Sequence, residues 1–295
     1  MKALRKPPWL KKRIPPLKDV MRVKSILDGT DLHTVCEEAR CPNLGECFAR
    51  GTATILILGK ICTRSCVFCA VQQGSPAPPN QEEPQKAAEA IRKMGLQYAV
   101  ITSVTRDDLP DGGASFFAQT IRAIRGLNRK IRIEVLIPDF KGDLSSLEIV
   151  LKEGPDVLNH NIETIPRLYP RVRPQADYIR SLHLLERVKK SHPYSLTKSG
   201  FMLGLGETQG EVLDLLQDLK EVGCKFLTIG QYLQPRPDRL GVVRYVPPEE
   251  FEEYKKTGEE MGFRVAAGLF VRSSFDAAQM FEAYLLDGPQ TEIRN

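Results

Sequence analysis

The segment Cys62-Thr63-Arg64-Ser65-Cys66-Val67-Phe68-Cys69 places three cysteines in a C-x3-C-x2-C spacing, just after the apolar run 55–58. The apolar run predicts a buried strand, so the three thiols are expected in a short loop at the end of that strand. A structural zinc site takes four protein ligands, and a [4Fe-4S] cluster also has four metal corners. Three local thiolates therefore leave one corner that is either filled from elsewhere in the chain or left open.

An open corner on an iron-sulfur cluster has a chemical use. Its iron can bind the amino and carboxylate groups of a small molecule, and S-adenosylmethionine bound in this way can serve as a radical source. The spacing, with Phe68 just before the last cysteine, resembles the signature of the radical S-adenosylmethionine enzymes. A zinc loop that lacks one ligand and a chance pattern are the alternatives for this motif taken alone.

The composition of the chain is that of a soluble globular protein. Its 295 residues suit two domains or one α/β barrel. No stretch approaches the roughly 18 apolar residues of a membrane span. Six of the seven cysteines lie between positions 36 and 69, with no signal peptide ahead of them, which favours metal ligation in a reducing compartment over disulfides. We therefore expect a cytoplasmic protein that makes no membrane contact.

The first 18 residues form a basic arm without an acidic residue. Its cationic side chains are Lys2, Arg5, Lys6, Lys11, Lys12, Arg13 and Lys18. Four prolines prevent a continuous helix, so we expect an extended arm that is either a solvated tail or a docking arm for an acidic macromolecule. Nucleic acid is not expected as a partner, because the net charge is only +5 and no basic run alternates with aromatic residues.

A second cysteine group precedes the first and has the spacing C-x4-C-x5-C, formed by Cys36, Cys41 and Cys47. Pro42 and Gly45 argue against one regular helix here, so the chain must turn, which lets the three thiols converge on one cluster. The apolar run 52–59 separates the two groups and favours two clusters over one site with six thiolates. A zinc loop or a purely structural cluster is the alternative for this group.

From residue 52 onward, strand patterns alternate with helical patterns. The predicted strands are 52–59, 97–104, 131–137, 156–162, 200–205, 226–232 and 264–268. Helix signals lie between them: Pro84 suits a first helical turn and Gly95 a stop, while Thr208 with Glu211 is typical of a capping box. Such a series predicts a parallel sheet in a closed or partial barrel, with chemistry at the carboxyl ends of the strands.

Polar residues follow two of these strands. After the second strand, Gly112 and Gly113 would let backbone amides approach a ligand closely, although a plain turn is the alternative. After the fourth strand, Asn161 and Glu163 are two residues apart, so they should project to the same side and could bind a ribose diol. Arg173 is a candidate clamp for a carboxylate.

Together these motifs resemble those of the lipoyl synthase family over nearly the whole chain after the arm. Besides the two cysteine spacings, the shared motifs are Arg-Asp-Asp-Leu-x-Asp-Gly-Gly-Ala at 106–114, Asn-His-Asn at 159–161, Thr-Lys-Ser-Gly at 197–200, Gly-Leu-Gly-Glu-Thr at 204–208, Gly-Gln-Tyr-Leu-Gln-Pro at 230–235 and Arg-Ser-Ser at 272–274. The paired cysteine spacings are highly specific, whereas the glycine motifs alone are not. One departure is Phe275, where the family's serine motif continues with tyrosine.

The resemblance implies an α/β fold, a partial (β/α)6 radical S-adenosylmethionine barrel with terminal extensions that carry an auxiliary cluster. Residues 1–51 would be the basic arm and auxiliary-cluster extension, 52–268 the barrel, and 269–295 a C-terminal extension. It also implies two [4Fe-4S] clusters. Cys62, Cys66 and Cys69 would hold the cluster that cleaves S-adenosylmethionine.

Cys36, Cys41 and Cys47 would hold the auxiliary cluster, with Ser274 as its fourth ligand. The implied reaction is radical insertion of sulfur at C6 and C8 of a protein-bound octanoyl-lysine, with the auxiliary cluster as the sulfur donor. The substrate would be carried by a lipoyl carrier domain or by the glycine-cleavage H protein, and an electron donor is needed. By analogy with the related biotin synthase, Asn161 and Glu163 would bind the ribose of S-adenosylmethionine and Arg173 its carboxylate.

Three rival functions share part of this pattern. A biotin synthase-like enzyme or a tRNA methylthiotransferase would share the first cluster but not the 36–47 spacing or the Arg-Ser-Ser motif. A non-catalytic iron-sulfur electron carrier would not need a barrel of roughly 200 residues around its clusters. A zinc-binding scaffold would be colourless and would not respond to S-adenosylmethionine.

Overall fold

The computed structural model describes residues 5–12, 15–193 and 195–287. Lys2 and Arg13 of the predicted arm lie outside these residues, as does the stretch 288–295 of the predicted C-terminal extension. The chain divides into two compact units. The first contains residues 1–11, 66–68 and 158–295, and the second contains residues 12–65 and 69–157. The domain boundaries expected near residues 51 and 268 remain predictions.

Strands and helices alternate along most of the described chain. The strands are β1 His33–Thr34, β2 Thr54–Ile57, β3 Ile61–Cys62, β4 Gln72–Gln73, β5 Tyr98–Ser103, β6 Arg132–Leu136, β7 Val157–Asn159, β8 Leu196–Leu203, β9 Phe226–Gln231 and β10 Arg264–Gly268. The helices are α1 Leu17–Leu27, α2 Val35–Glu38, α3 Leu44–Ala49, α4 Glu83–Met94, α5 Ala114–Leu127, α6 Leu144–Leu151, α7 Tyr169–Val172, α8 Tyr178–Ser191, α9 Gln209–Glu221, α10 Pro248–Glu260 and α11 Ala277–Asp287.

The strand order of the main sheet is β1-β2-β5-β6-β7-β8-β9-β10. In the second unit, β2, β5 and β6 run parallel, and β1 pairs antiparallel with β2. In the first unit, β8, β9 and β10 run parallel. The mostly parallel pairing confirms the predicted α/β class, and the strand order is that of an open sheet, as expected for a partial barrel.

All seven predicted strands are present, because each is a short apolar run bounded by turn residues. The fifth begins at Leu196, four residues before the predicted start, since the polar residues Thr197, Lys198 and Ser199 are buried and carry no apolar signal. Every residue of β2 is buried, as expected for a parallel strand covered on both faces.

The predicted helix boundaries hold where a cap determines them. Gly95 ends α4 in the left-handed conformation with φ 73°, which glycine adopts at little steric cost. The side chain of Thr208 accepts from the backbone N–H of Glu211, and the Glu211 side chain accepts from the N–H of Thr208, so the predicted capping box begins α9.

The described part of the arm contains no helix before α1. Residues Pro7 to Leu10 form a hydrogen-bonded turn, so the arm is not extended throughout. None of the helices that the structure describes is long and apolar enough to cross a membrane.

Candidate iron-sulfur and S-adenosylmethionine site

The turn after β2 is held in an unusual conformation that leads directly to the first cysteine. Leu58 has a backbone φ of 68°, a left-handed value that residues other than glycine rarely adopt. The buried carboxylate of Glu83 accepts the N–H of Leu58 at 2.6 Å and that of Gly59 at 3.3 Å. Arg106 donates to the Leu58 carbonyl oxygen at 3.4 Å. These bonds satisfy backbone groups that the end of the strand leaves unpaired.

Glu83 is a buried acid whose carboxylate holds the turn after β2. Burial raises the pKa of its carboxyl group, and the two amides that it accepts from act in the opposite direction. It caps the turn from a position in α4, 25 residues away from Leu58 in the sequence. The cysteine loop therefore starts from a fixed point.

Gly113 has a φ of 93°, and the side chain of Leu58 occupies the space beside it. A Cβ on Gly113 would collide with Leu58 Cδ1, and a Cβ on Gly112 would press on the ring of Phe140. The close approach that the glycine pair allows is therefore to the protein's own side chains. Asp111 accepts from the N–H of Gly113 at 2.9 Å, which fixes this turn at the start of α5.

Hydrogen bonds tie the start of the cysteine loop to the segment after β5. The backbone N–H and the hydroxyl of Thr63 both donate to the Thr105 carbonyl oxygen at 3.0 Å. The N–H of Asp107 donates back to the Thr63 hydroxyl, also at 3.0 Å. The sulfur of Cys62 accepts from the N–H of Arg64 at 3.4 Å, so one amide already points at a candidate ligand.

The next three residues of the loop, 66–68, belong to the first unit. There the N–H of Val67 donates to the Val172 carbonyl oxygen at 3.2 Å, and its carbonyl oxygen accepts from Leu240 at 3.0 Å. Cys66 and Cys69 are half-buried, as is Cys62. Thiols with this exposure can be reached by iron and sulfide from solution.

The second cysteine group lies on two short helices separated by a turn, which confirms that no single helix spans it; Pro42 lies in the turn, whereas Gly45 lies inside α3. Cys36 is in α2 and Cys47 in α3, with Cys41 in the turn between them. Burial raises the pKa of the Cys36 thiol to about 12, and the neighbouring Cys41 and Cys47 raise it further. Burial also raises the pKa of Cys47 to about 11, again with a contribution from Cys41. Cys41 and Cys47 are therefore near enough to Cys36 to disfavour its thiolate form.

Lys12, a residue of the basic arm, lies beside this group. Its ammonium group pairs with Glu46 at 2.9 Å and also donates to the side-chain oxygen of Asn43. Its positive charge lowers the pKa of Cys47, against the larger effect of burial. One positive charge of the arm is therefore paired with an acidic residue of the protein itself.

Asn161 and Glu163 meet as predicted. Asn161 Nδ2 donates to Glu163 Oε1 at 3.0 Å, and it also donates to the hydroxyl of Ser273 at 2.5 Å. Asn161 Oδ1 is buried and has no hydrogen-bond partner among the described residues. Burial raises the pKa of Glu163, and the charges of Arg173 and Arg272 oppose that effect.

Arg173, the residue after α7, binds the backbone of Asn161. Its Nη1 donates to the Asn161 carbonyl oxygen at 2.9 Å and to the Tyr169 hydroxyl at 3.0 Å. The guanidinium carbon lies 5.3 Å from the centre of the Tyr169 ring, within the range of a cation–π contact. The predicted carboxylate clamp is thus fixed in position.

The tail that carries Ser273 and Ser274 packs closely on β9. The carbonyl oxygen of Val271 occupies the space that a side chain at Gly230 would need, and Arg272 lies next to it. Ser273 accepts from Asn161 and so belongs with Asn161 and Glu163, which we call together the Asn161 group.

This packing gives a test of how the tail is held. Gly230→Ala should lower the free energy of unfolding by about 2 kcal/mol, because the new methyl group overpacks the contact with Val271. Thermal unfolding of the metal-free chain measures the loss. Gly126→Ala in α5 is the control, since nothing lies within 4 Å of that position, and it should be neutral or stabilising. Equal losses in both variants would show that the tail contact is not the cause.

Among the described residues, no three His, Cys, Asp or Glu side chains are placed so that they could hold one metal ion. The two cysteine groups are therefore candidate ligands by their spacing in the sequence.

Sequence reasoning named the cysteines, Asn161 and Glu163 as candidates, gave no role to Arg64 or Glu83, and treated Lys12 only as a charge of the arm. Arg64 stands inside the cysteine motif, and its burial to 4% exposure is the signal that the sequence does not contain.

Comparisons with known proteins agree with this architecture. Residues 56–219 match the radical SAM superfamily. Among solved structures, methylornithine synthase superposes with a TM-score of 0.56 at 12% identity, covering 71% of this chain and 63% of that one. A maturase of the [FeFe]-hydrogenase gives 0.56 at 16% identity, covering 85% of this chain and 67% of that one. The fold and the superfamily match define a radical S-adenosylmethionine enzyme, a class that uses a [4Fe-4S] cluster with S-adenosylmethionine.

The relatives narrow the class. Lipoyl synthase of Caldanaerobacter subterraneus is 54% identical over 276 residues, which cover 93% of this chain and 96% of the relative. Lipoyl synthase of Haemophilus influenzae (strain ATCC 51907) is 54% identical over 279 residues, which cover 93% and 87%. Residues 1–41 match the N-terminal domain of lipoyl synthase. This chain belongs to the lipoyl synthase family.

Proposed function

We propose that this enzyme inserts two sulfur atoms, at C6 and C8 of a protein-bound octanoyl-lysine, and that an auxiliary [4Fe-4S] cluster donates them. Cys36, Cys41 and Cys47 with Ser274 would hold the auxiliary cluster. Cys62, Cys66 and Cys69 would hold the radical cluster. When bound, the radical cluster and S-adenosylmethionine supply a 5′-deoxyadenosyl radical, which can break C–H bonds too inert for acid–base catalysis.

The observation that carries this proposal is that Cys36, Cys41 and Cys47 lie on one short segment, helix α2, the turn after it and helix α3. A radical enzyme needs one cluster to generate its radical, so a second group of three thiols, in which Cys41 raises the pKa of both Cys36 and Cys47, calls for a second use. Thiolates are the soft ligands that iron-sulfur clusters prefer. The donor set therefore fits a cluster, and a sulfur-inserting reaction needs a source of sulfide.

The Asn161 group fits the proposed contacts with S-adenosylmethionine. A buried amide oxygen without a partner among the described residues costs free energy, and a ligand hydroxyl would satisfy it. Glu163 would accept from the second hydroxyl of the ribose. Arg173 would bind the methionine carboxylate while holding the Asn161 carbonyl oxygen in place. Gly112 and Gly113 would also contribute to binding S-adenosylmethionine. Both lie in the second unit, against Phe140 and Leu58.

The proposed macromolecular substrates are octanoylated lipoyl carrier domains or the glycine-cleavage H protein, and an electron donor must reduce the radical cluster. The cysteine usage supports a reducing compartment, the cytoplasm, as the place of work.

One experiment tests the reaction. The chain is reconstituted anaerobically with iron and sulfide and mixed with S-adenosylmethionine, a reductant and an octanoyl-lysyl peptide. Mass spectrometry should detect a peptide that has gained two sulfur atoms. Formation of 5′-deoxyadenosine without any sulfur-containing peptide would contradict the proposal, because radical generation would then serve another substrate.

The basic arm gives a prediction about the carrier. Arg5, Lys6 and Lys11 are exposed, whereas Lys12 is engaged with Glu46. Changing the three exposed residues to glutamine should raise KM for an intact acidic carrier and flatten its salt dependence, because long-range attraction between exposed charges steers association. Turnover of a short octanoyl-lysyl peptide should change little.

The matched control removes the same charge elsewhere. Arg129, Lys130 and Lys256 are exposed outside the arm, and their replacement by glutamine lowers the net charge equally. If both triple variants raise KM for the carrier alike, net charge and not the arm determines docking. An equal effect of the arm variant on carrier and peptide would indicate a folding defect instead.

A further inference from the structure

Arg64 is a buried cation within the first cysteine motif. Its side chain is 3% exposed. Nε and Nη2 donate to the two carboxylate oxygens of Asp107 at 2.7 and 3.0 Å, and Nη2 also donates to Asp139 at 2.6 Å. The Asp139 side chain is fully buried. We call Arg64, Asp107 and Asp139 the buried ion triad.

Both acidic residues are held by other contacts as well, Asp139 through its carboxylate and Asp107 through its backbone. Asp139 accepts from the N–H of Lys141 at 3.1 Å, in a short turn whose residues Phe140 and Lys141 have positive φ. The ammonium group of Lys141 donates to the Asp107 carbonyl oxygen at 3.1 Å. Arg64 is therefore held against two anchors that do not depend on it.

Fold stability does not explain such a triad. Removing charged groups from water is unfavourable for each ion, and apolar residues of similar volume often replace buried ion pairs with no loss of stability. A triad at this place therefore suggests a requirement for the position or the charge of Arg64. The backbone N–H of Arg64 donates to a candidate ligand, the sulfur of Cys62, with 3.4 Å between nitrogen and sulfur.

We propose that Arg64 is a positioning residue of the radical cluster. Its ion pairs keep the Arg64 N–H directed at the Cys62 sulfur, and its buried positive charge makes the cluster easier to reduce. Hydrogen bonds to cluster sulfurs and nearby charge both set cluster potentials. This inference rests on Cys62 being a cluster ligand, as assigned under the proposed function.

The test uses the full chain with Cys36, Cys41 and Cys47 replaced by alanine, so that one reconstituted cluster is observed. Its midpoint potential is measured by a redox titration followed by electron paramagnetic resonance, and its iron loss is measured with a chelator. Arg64→Gln should shift the potential to more negative values, because a positive charge is lost. It should also speed iron loss roughly tenfold, since two carboxylates are left without their cation.

Three further variants separate positioning from simple stability. Asp139→Asn should shift the potential in the opposite direction, because a negative charge is lost. Arg64→Lys should leave the potential near that of the background chain yet lose iron faster, since an ammonium group cannot bridge two carboxylates as a guanidinium does. Arg122→Gln, which breaks an exposed ion pair with Glu153, should change neither measurement.

Shifts of Arg64→Gln and Asp139→Asn in the same direction, or unchanged potentials accompanied only by a lower unfolding temperature, would overturn the proposal. The failure of the ligand assignment has a different signature. In that case the background chain would take up no cluster even with Arg64 intact, and the inference would fall together with the assignment.

Discussion

Replacing Cys62, Cys66 and Cys69 together by alanine is expected to lower the iron content of the reconstituted chain from about eight atoms to about four. The variant should also lose all formation of 5′-deoxyadenosine, because the cluster that cleaves S-adenosylmethionine is gone. The auxiliary cluster should remain, since Cys36, Cys41 and Cys47 lie on their own helices α2 and α3. Iron analysis and product chromatography measure the two effects.

A single cysteine provides the matched control. Cys224 is buried just before β9, and burial raises the pKa of its thiol to about 12. Cys224→Ala should therefore keep about eight irons and full cleavage activity. Loss of all iron from the triple variant would point to one site and would refute the two-cluster assignment.

The second large effect is expected at Ser274. An auxiliary cluster that gives up its sulfur must release iron, and a hydroxyl oxygen is a less well matched ligand for cluster iron than a thiolate. Ser274→Cys should keep both clusters and still form 5′-deoxyadenosine, but its sulfur transfer should be slow. Ser274→Ala should bind the auxiliary cluster less firmly and form no lipoyl product. Single-turnover mass spectrometry distinguishes these outcomes.

Ser273 is the natural comparison because it is the neighbouring hydroxyl. Its bond with Asn161 predicts that Ser273→Ala raises KM for S-adenosylmethionine and leaves the auxiliary cluster in place. The assignment would be falsified by full lipoyl formation in Ser274→Ala together with complete loss in Ser273→Ala.

The sequence predicts the elements whose signals are local. Apolar runs bounded by turn residues locate the parallel strands, the capping box Thr208-Glu211 locates the start of α9, and Gly95 locates the end of α4. The turn between Cys36 and Cys47 also follows from local chemistry, because Pro42 cannot continue the helix that contains Cys36, whereas Gly45 is accommodated inside α3.

Contacts between distant parts of the sequence leave no such pattern. Arg64 reaches Asp107 over 43 residues and Asp139 over 75 residues, and neither distance matches a helical or strand period. The two-residue strand β1 is too short to produce an alternation. Lys12 looks like any other charge of the basic arm until its partner Glu46 is known. Burial decides these cases, and burial is a property of the folded chain.

The packing of Leu58 against Gly113 links two positions into one size-matched pair. Leu58 adopts a backbone conformation that glycine would accept more readily, yet its side chain fills the room that Gly113 leaves empty. Substitutions at the two positions are therefore expected to be coupled. In a combinatorial library of both codons, side chains at 113 should survive selection only with a small residue at 58, and even then rarely, because the positive φ of Gly113 disfavours any side chain.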